Sequence, residues 1–138
     1  MTRETKFIFI LFIFITIFSY SSKAVVVDGR WKDVLKAIAH VESKSKNKTV
    51  SKCGNYVGFL QISKVVVDDC NRIVGKKKYK YNHRLDKEKS IEMFYIIQNY
   101  YNPDSDLEKA IRIWNGGPKF SKKKTERYFK AVMDTIVK

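Results

Sequence analysis

A chain of 138 residues is long enough for one domain, and its 28 Lys plus Arg against 14 Asp plus Glu give a formal net charge of +14. With 44% hydrophobic and 14% aromatic residues there is enough apolar material for a packed core, which excludes a disordered basic tail. Two Cys and two His are too few and too scattered for a structural zinc site, and no glycine-rich phosphate loop occurs, so neither a metal nor an organic cofactor is expected.

Arg3 and Lys6 precede an unbroken apolar run from Phe7 to Phe18, and the small residues Ser22 and Ala24 follow it. This is the tripartite pattern of a secretory signal over residues 1–24, with cleavage expected after Ala24. The apolar run is shorter than the ~20 residues a helix needs to cross the hydrocarbon layer, although Val25 to Val27 leave an uncleaved anchor open. The protein is thus expected in the periplasm or outside the cell, touching a membrane only through that signal if it is uncleaved. Residues 25–138 then form a single domain of 114 residues that keeps a charge of +12, because the signal removes three positive charges and one negative. Such a surface favours polyanions. Export makes nucleic acid an unexpected partner and leaves anionic lipid or acidic wall polymers. Export also allows a disulfide between the only cysteines, Cys53 and Cys70.

In chain order, Trp31, Val34, Leu35, Ile38 and Val41 recur at helical spacing, with Lys32, Asp33, Lys36 and His40 opposite, predicting an amphipathic helix over 31–43. Glu42 falls on the apolar stripe of that helix, with no Lys or Arg one turn before it on that face. A carboxyl desolvated in this way keeps its proton near neutrality and becomes a candidate general acid, whereas fraying of the last turn would send it into water. Residues 63–74 predict a second helix, with Val65 to Val67 readable as strand, and Gly75 to Asn82 a basic aromatic loop. Ser90 is expected to cap a helix running to about Tyr101, and Asp106 another that ends at Gly116, Gly117 and Pro118. A last helix covers about 123–137, and the whole is mainly α. His40 and His83 are expected to be plain surface residues.

Four separated segments then resemble one family, the catalytic domain of soluble lytic transglycosylases and goose-type lysozymes. Ala37-Ile38-Ala39-His40-Val41-Glu42-Ser43 looks like its helix ending in a Glu-Ser pair, and Gly58-Phe59-Leu60-Gln61-Ile62 is similar to its Gly-Leu-Met-Gln-Ile segment. Ala110 to Pro118 resembles the helix leading into its Tyr-Asn-Ala-Gly-Pro motif, and Thr125-Glu126-Arg127-Tyr128 its closing helix. The resemblance covers nearly all of residues 31–138 and implies a mainly α, lysozyme-like single domain with a substrate cleft. It implies that Glu42 is the acid/base and that Ser43 positions the substrate or the carboxylate. Gln61 and Asn115 would hydrogen-bond sugar groups, and Tyr128 would hold Glu42. Amides suit that task because they both donate and accept. Tyr56, Tyr79, Tyr81 and Trp114 offer flat faces to sugar rings, with Tyr56 favoured because it adjoins the turn before Gly58. Leu60 stands where the family usually has Met, Trp114 where it has Tyr, and Gly116 where it has Ala; the last is expected only to loosen the turn.

No Asp or Glu lies between Glu42 and Asp68, and ordinary glycosidases need two carboxyl groups. A lytic transglycosylase, as the resemblance implies, lets a hydroxyl of the substrate attack instead. The expected function is cleavage of the β-1,4 bond between N-acetylmuramic acid and N-acetylglucosamine in peptidoglycan, leaving 1,6-anhydro ends. The alternatives are a lysozyme-type hydrolase of the same bond, with Asp68, Asp69 or Asp86 as second carboxylate, and an inactive module that binds wall sugars. The expected partners are peptidoglycan glycan strands, held against the basic surface, and by analogy a secretion, conjugation or phage-type machine.

Overall fold

The structure, a computed structural model, describes residues 29–138, so the expected signal over 1–24 lies outside the described residues. Among the described residues five α-helices follow a 3-10 turn at Gly29–Trp31: α1 Lys32–Ser43, α2 Lys64–Val74, α3 Lys87–Tyr101, α4 Leu107–Gly116 and α5 Lys122–Ile136. A second 3-10 turn, Tyr81–Leu85, lies before α3. The described residues contain no extended strand, only isolated antiparallel bridges that join Val57 to Val50 and to Ile62. The protein is mainly α, as the periodicity predicts, and the Val65 to Val67 run is helical.

The helix α1 buries Val34, Leu35 and Ile38 and leaves Lys32, Asp33, Lys36 and His40 exposed. Helices α1 and α4 both pack on α5, while α2 packs on α3. Phe94 of α3 sits at the centre, 6.0 Å from the Trp31 ring and 5.1 Å from the Trp114 ring. Around it Ile38, Leu60, Ile111 and Val132 are fully buried, each worth roughly 1.5–3 kcal/mol relative to exposure.

The helix starts follow local capping chemistry, with one correction. Ser63, Asp106 and Ser121 accept from backbone N–H groups in the first turns of α2, α4 and α5. For α3 the cap is Asp86 rather than Ser90: Asp86 accepts from the Lys89 N–H at 2.9 Å, and the helix begins a turn earlier. Ser90 is buried inside it, donating back to the Asp86 and Arg84 carbonyls at 2.7 and 3.2 Å.

The expected disulfide is absent. Cys53 lies on the exposed loop before Tyr56, whereas Cys70 points from α2 into the core, 3.6 Å from the Met93 carbonyl, and both thiols are free. Burial first, and then the neighbouring Asp69, push the Cys70 thiol up to about 12, which makes it inert as well as enclosed.

Candidate active site

The helix α1 does not fray at its functional end. It runs through Ser43 and closes on Lys44 in the left-handed conformation, whose N–H donates to the His40 carbonyl at 3.0 Å. Glu42 is therefore held on the stripe where the spacing puts it, partly buried, and the Tyr128 hydroxyl of α5 donates to its Oε1 at 2.7 Å. Burial pushes the Glu42 carboxyl up to about 7, against the smaller opposing pull of the Tyr128 hydrogen bond. Tyr128 is in turn driven well above the usual phenol range, by its own burial and then by the Glu42 charge. The pair thus holds one carboxyl that exchanges its proton near neutrality.

Opposite Glu42 runs the segment Gly58–Ile62, and its rigidity has an explicit source. The Ser43 hydroxyl donates to the Phe59 carbonyl at 2.8 Å, the Trp114 Nε1–H to Leu60 at 3.3 Å, and the Arg84 guanidinium to Ile62 at 3.2 Å. Three side chains from α1, α4 and the second 3-10 turn thus hold three carbonyls of one short loop. Gly58 is required there: its φ is +86°, and a Cβ would lie 1.8 Å from the Arg84 carbonyl oxygen.

Within this loop Gln61 adopts a left-handed φ of 49°, a conformation that costs a non-glycine residue about 1–2 kcal/mol. The strain is offset locally, because its Nε2 donates to the Gly58 and Thr49 carbonyls at 2.9 and 3.0 Å. Only an amide nitrogen can donate to both, so the orientation of the side chain is fixed. Its Oε1 is the atom left to meet a ligand. Strain of this kind gathers at functional positions.

Glu42, Gln61, Tyr56, Trp114 and Asn115 line one cleft of about 530 Å³, within the range of small-molecule sites. The structure thus brings together five of the residues singled out by sequence for catalysis or sugar contact, and Asp69, offered as a second carboxylate, lines the same cleft. Ser43 and Tyr128 do not line the cleft: Ser43 is buried with its hydroxyl on the loop carbonyl, and Tyr128 stands behind Glu42. Tyr79 is buried with its hydroxyl on Glu92, and Tyr81 donates to Asp68, so neither offers a face to the cleft.

One lining residue, Tyr101, escapes the sequence analysis, and it pairs with Asp69, which the sequence offers only as a second carboxylate. Tyr101 and Asp69 close the α2–α3 end of the cleft, the Tyr101 hydroxyl donating to Asp69 Oδ2 at 2.8 Å while Arg72 Nε donates to Oδ1 at 2.8 Å. They are 32 positions apart, so no local pattern pairs them. The other acidic candidates have structural duties, Asp68 accepting from Tyr81 and Asp86 capping α3. Among the described residues no group of three or more His, Cys, Asp or Glu could hold a metal ion.

The turn after Asn115 is tight, which corrects the expectation for Gly116. A Cβ there would sit 2.7 Å from Thr125 Cγ2 and 2.9 Å from Phe120 Cβ, so glycine lets α4 and α5 approach. Arg112 locks that approach. It is buried and donates to Glu108, Glu126, the Thr125 hydroxyl and the Lys122 carbonyl, all at 2.7 to 2.9 Å. This clamp fixes the end of α5 that carries Tyr128 toward Glu42.

No curated protein and no solved structure shows significant similarity to the chain. The family described as the transglycosylase SLT domain matches residues 19–136. That span contains the Glu42 helix, the Gln61 loop, the Asn115 turn and the Tyr128 helix. With nearly the whole sequence matched, the chain belongs to the transglycosylase SLT domain family.

Proposed function

We propose that this protein is an exported lytic transglycosylase that cleaves the β-1,4 bond between N-acetylmuramic acid and N-acetylglucosamine in peptidoglycan. The observation that carries the reading is a single carboxyl, Glu42, partly buried in the cleft beside Gln61 and Asn115 and pushed up to about 7. In the first step Glu42 gives its proton to the bridging oxygen as the C1–O bond breaks and the muramic ring becomes oxocarbenium-like. In the second, the Glu42 carboxylate takes the proton from the C6 hydroxyl of the same ring while that oxygen bonds to C1. The carboxyl is regenerated and an anhydro ring closes.

Around this chemistry, Gln61 Oε1 and the exposed Asn115 amide supply hydrogen bonds to hydroxyl and N-acetyl groups, and Tyr56 offers an aromatic face to a sugar ring. Tyr128 orients Glu42 and keeps its carboxylate form accessible for the second step. The hydrolase alternative needs a second carboxylate to activate water. The sole other carboxylate on the cleft wall among the described residues is Asp69, whose oxygens are taken by Arg72 and Tyr101. That occupancy favours attack by the substrate's own hydroxyl.

Digestion of purified peptidoglycan followed by mass spectrometry of the soluble products tests the proposal. Muropeptides are expected to carry 1,6-anhydro ends, 18 Da lighter than their hydrated counterparts, the mass of one water. Reducing ends would make the enzyme a hydrolase, and no release at all would make it a binding module.

A further inference from the structure

The cleft lining and the chain next to it differ in charge. Residues 43–67, which supply one wall, contain no Asp or Glu but carry Lys44, Lys46, Lys48, Lys52 and Lys64, all exposed and in no ion pair among the described residues. This segment is tied to the site itself. Thr49 accepts from Gln61, Val50 bridges to Val57, and Ser51 lines the cleft beside Lys52. Elsewhere in the lining, Pro118 is followed by Lys119 and, in the first turn of α5, by Lys123, again exposed and in no ion pair among the described residues. Inside, the lining is neutral except for Glu42 and the Asp69 already paired with Arg72.

A neutral trough with cationic rims fits a ligand whose backbone is uncharged and whose side groups carry negative charge. We infer that the rims bind the carboxylates that project from a glycan strand, those of its lactyl groups and stem peptides, and so select peptide-bearing strands over neutral glycans. The inference rests on the reading of the cleft as a glycan site and specifies what that site prefers. Charges on a rim of this kind raise local substrate concentration and association rate, and they act within a Debye length of about 8–10 Å.

Binding is measured with Glu42→Gln, which keeps the strand uncut, to peptide-bearing glycan strands and to a neutral chitooligosaccharide. A rim variant, Lys48→Gln with Lys52→Gln and Lys119→Gln, is compared with a control of equal charge change, Lys32→Gln with Lys36→Gln and Lys138→Gln. Lys32 and Lys36 stand on the face of α1 opposite its buried stripe. The rim variant is expected to bind strands about tenfold more weakly at low salt and to lose most of the salt dependence. The control is expected to stay within about twofold, and both variants are expected to hold the chitooligosaccharide as the parent does.

Equal weakening in rim and control variants, equal weakening toward both ligands, or no weakening overturns the inference. A parent that binds both ligands, with a rim variant that binds strands normally, removes the rim alone. A parent that binds neither ligand removes the glycan site together with it.

Discussion

Glu42→Gln is expected to lower the rate of peptidoglycan cleavage by about 10²–10⁴-fold while leaving the protein folded, because the amide keeps the shape of the side chain but has no proton to give. The same substitution is expected to change stability in a pH-dependent way. The carboxyl binds its proton more tightly in the folded protein, at about 7, than in the unfolded chain, at 4.5. Its contribution is therefore fully present below pH 4.5, is lost between 4.5 and 7, and above 7 becomes a cost on the order of 3 kcal/mol. An isosteric amide escapes that cost. Thermal melts at pH 4 should find the two proteins alike, and melts at pH 8 should find the variant more stable. A variant that is less stable at pH 8, or one that retains full activity, contradicts the assignment.

The second large effect is structural. Gly58→Ala is expected to destabilise the protein by about 4 kcal/mol or more, because the new methyl would stand 1.8 Å from the Arg84 carbonyl oxygen in a left-handed conformation. Gly54→Ala separates the two causes: its φ is +73° with nothing within 4 Å of the added carbon, so it should cost only about 1–2 kcal/mol. Urea unfolding of the pair measures the difference. Equal midpoints would show that the Gly58 loop yields more easily than its three carbonyl anchors imply.

Helical spacing was enough to put Glu42 on the buried face of α1, because a stripe and its end can be read within one segment. The Asp106 cap and the stop at Gly116 were likewise local. Ser90 reads as a cap because it precedes an apolar run, but Asp86 competes for the same role one turn earlier, and its carboxylate accepts the Lys89 N–H.

Apart from the Tyr128–Glu42 pair, which the family resemblance implies, features made by distant partners are not legible. Arg84 in a basic loop looks like a solvated charge, yet its guanidinium is buried against the carbonyls of Tyr81, Asn55 and Ile62. Tyr101 and Asp69 meet only because α2 packs on α3. Gly116 reads in sequence as loosening a turn because nothing there shows that Thr125 and Phe120 close over it. The disulfide was expected from compartment and count alone, neither of which reports that Cys70 points inward.

Cleavage requires the proton of Glu42, and its titration can be followed directly by isotope-edited carbon NMR of the side-chain carboxyl, with Glu42→Gln identifying the resonance. The carboxyl is expected to titrate near 7 in the intact protein, and higher in Tyr128→Phe, where the hydrogen bond that favours the charged form is gone. A midpoint near the ordinary 4.5, unchanged by removing the Tyr128 hydroxyl, would mean that Glu42 is a solvated carboxylate at neutral pH with no proton to deliver.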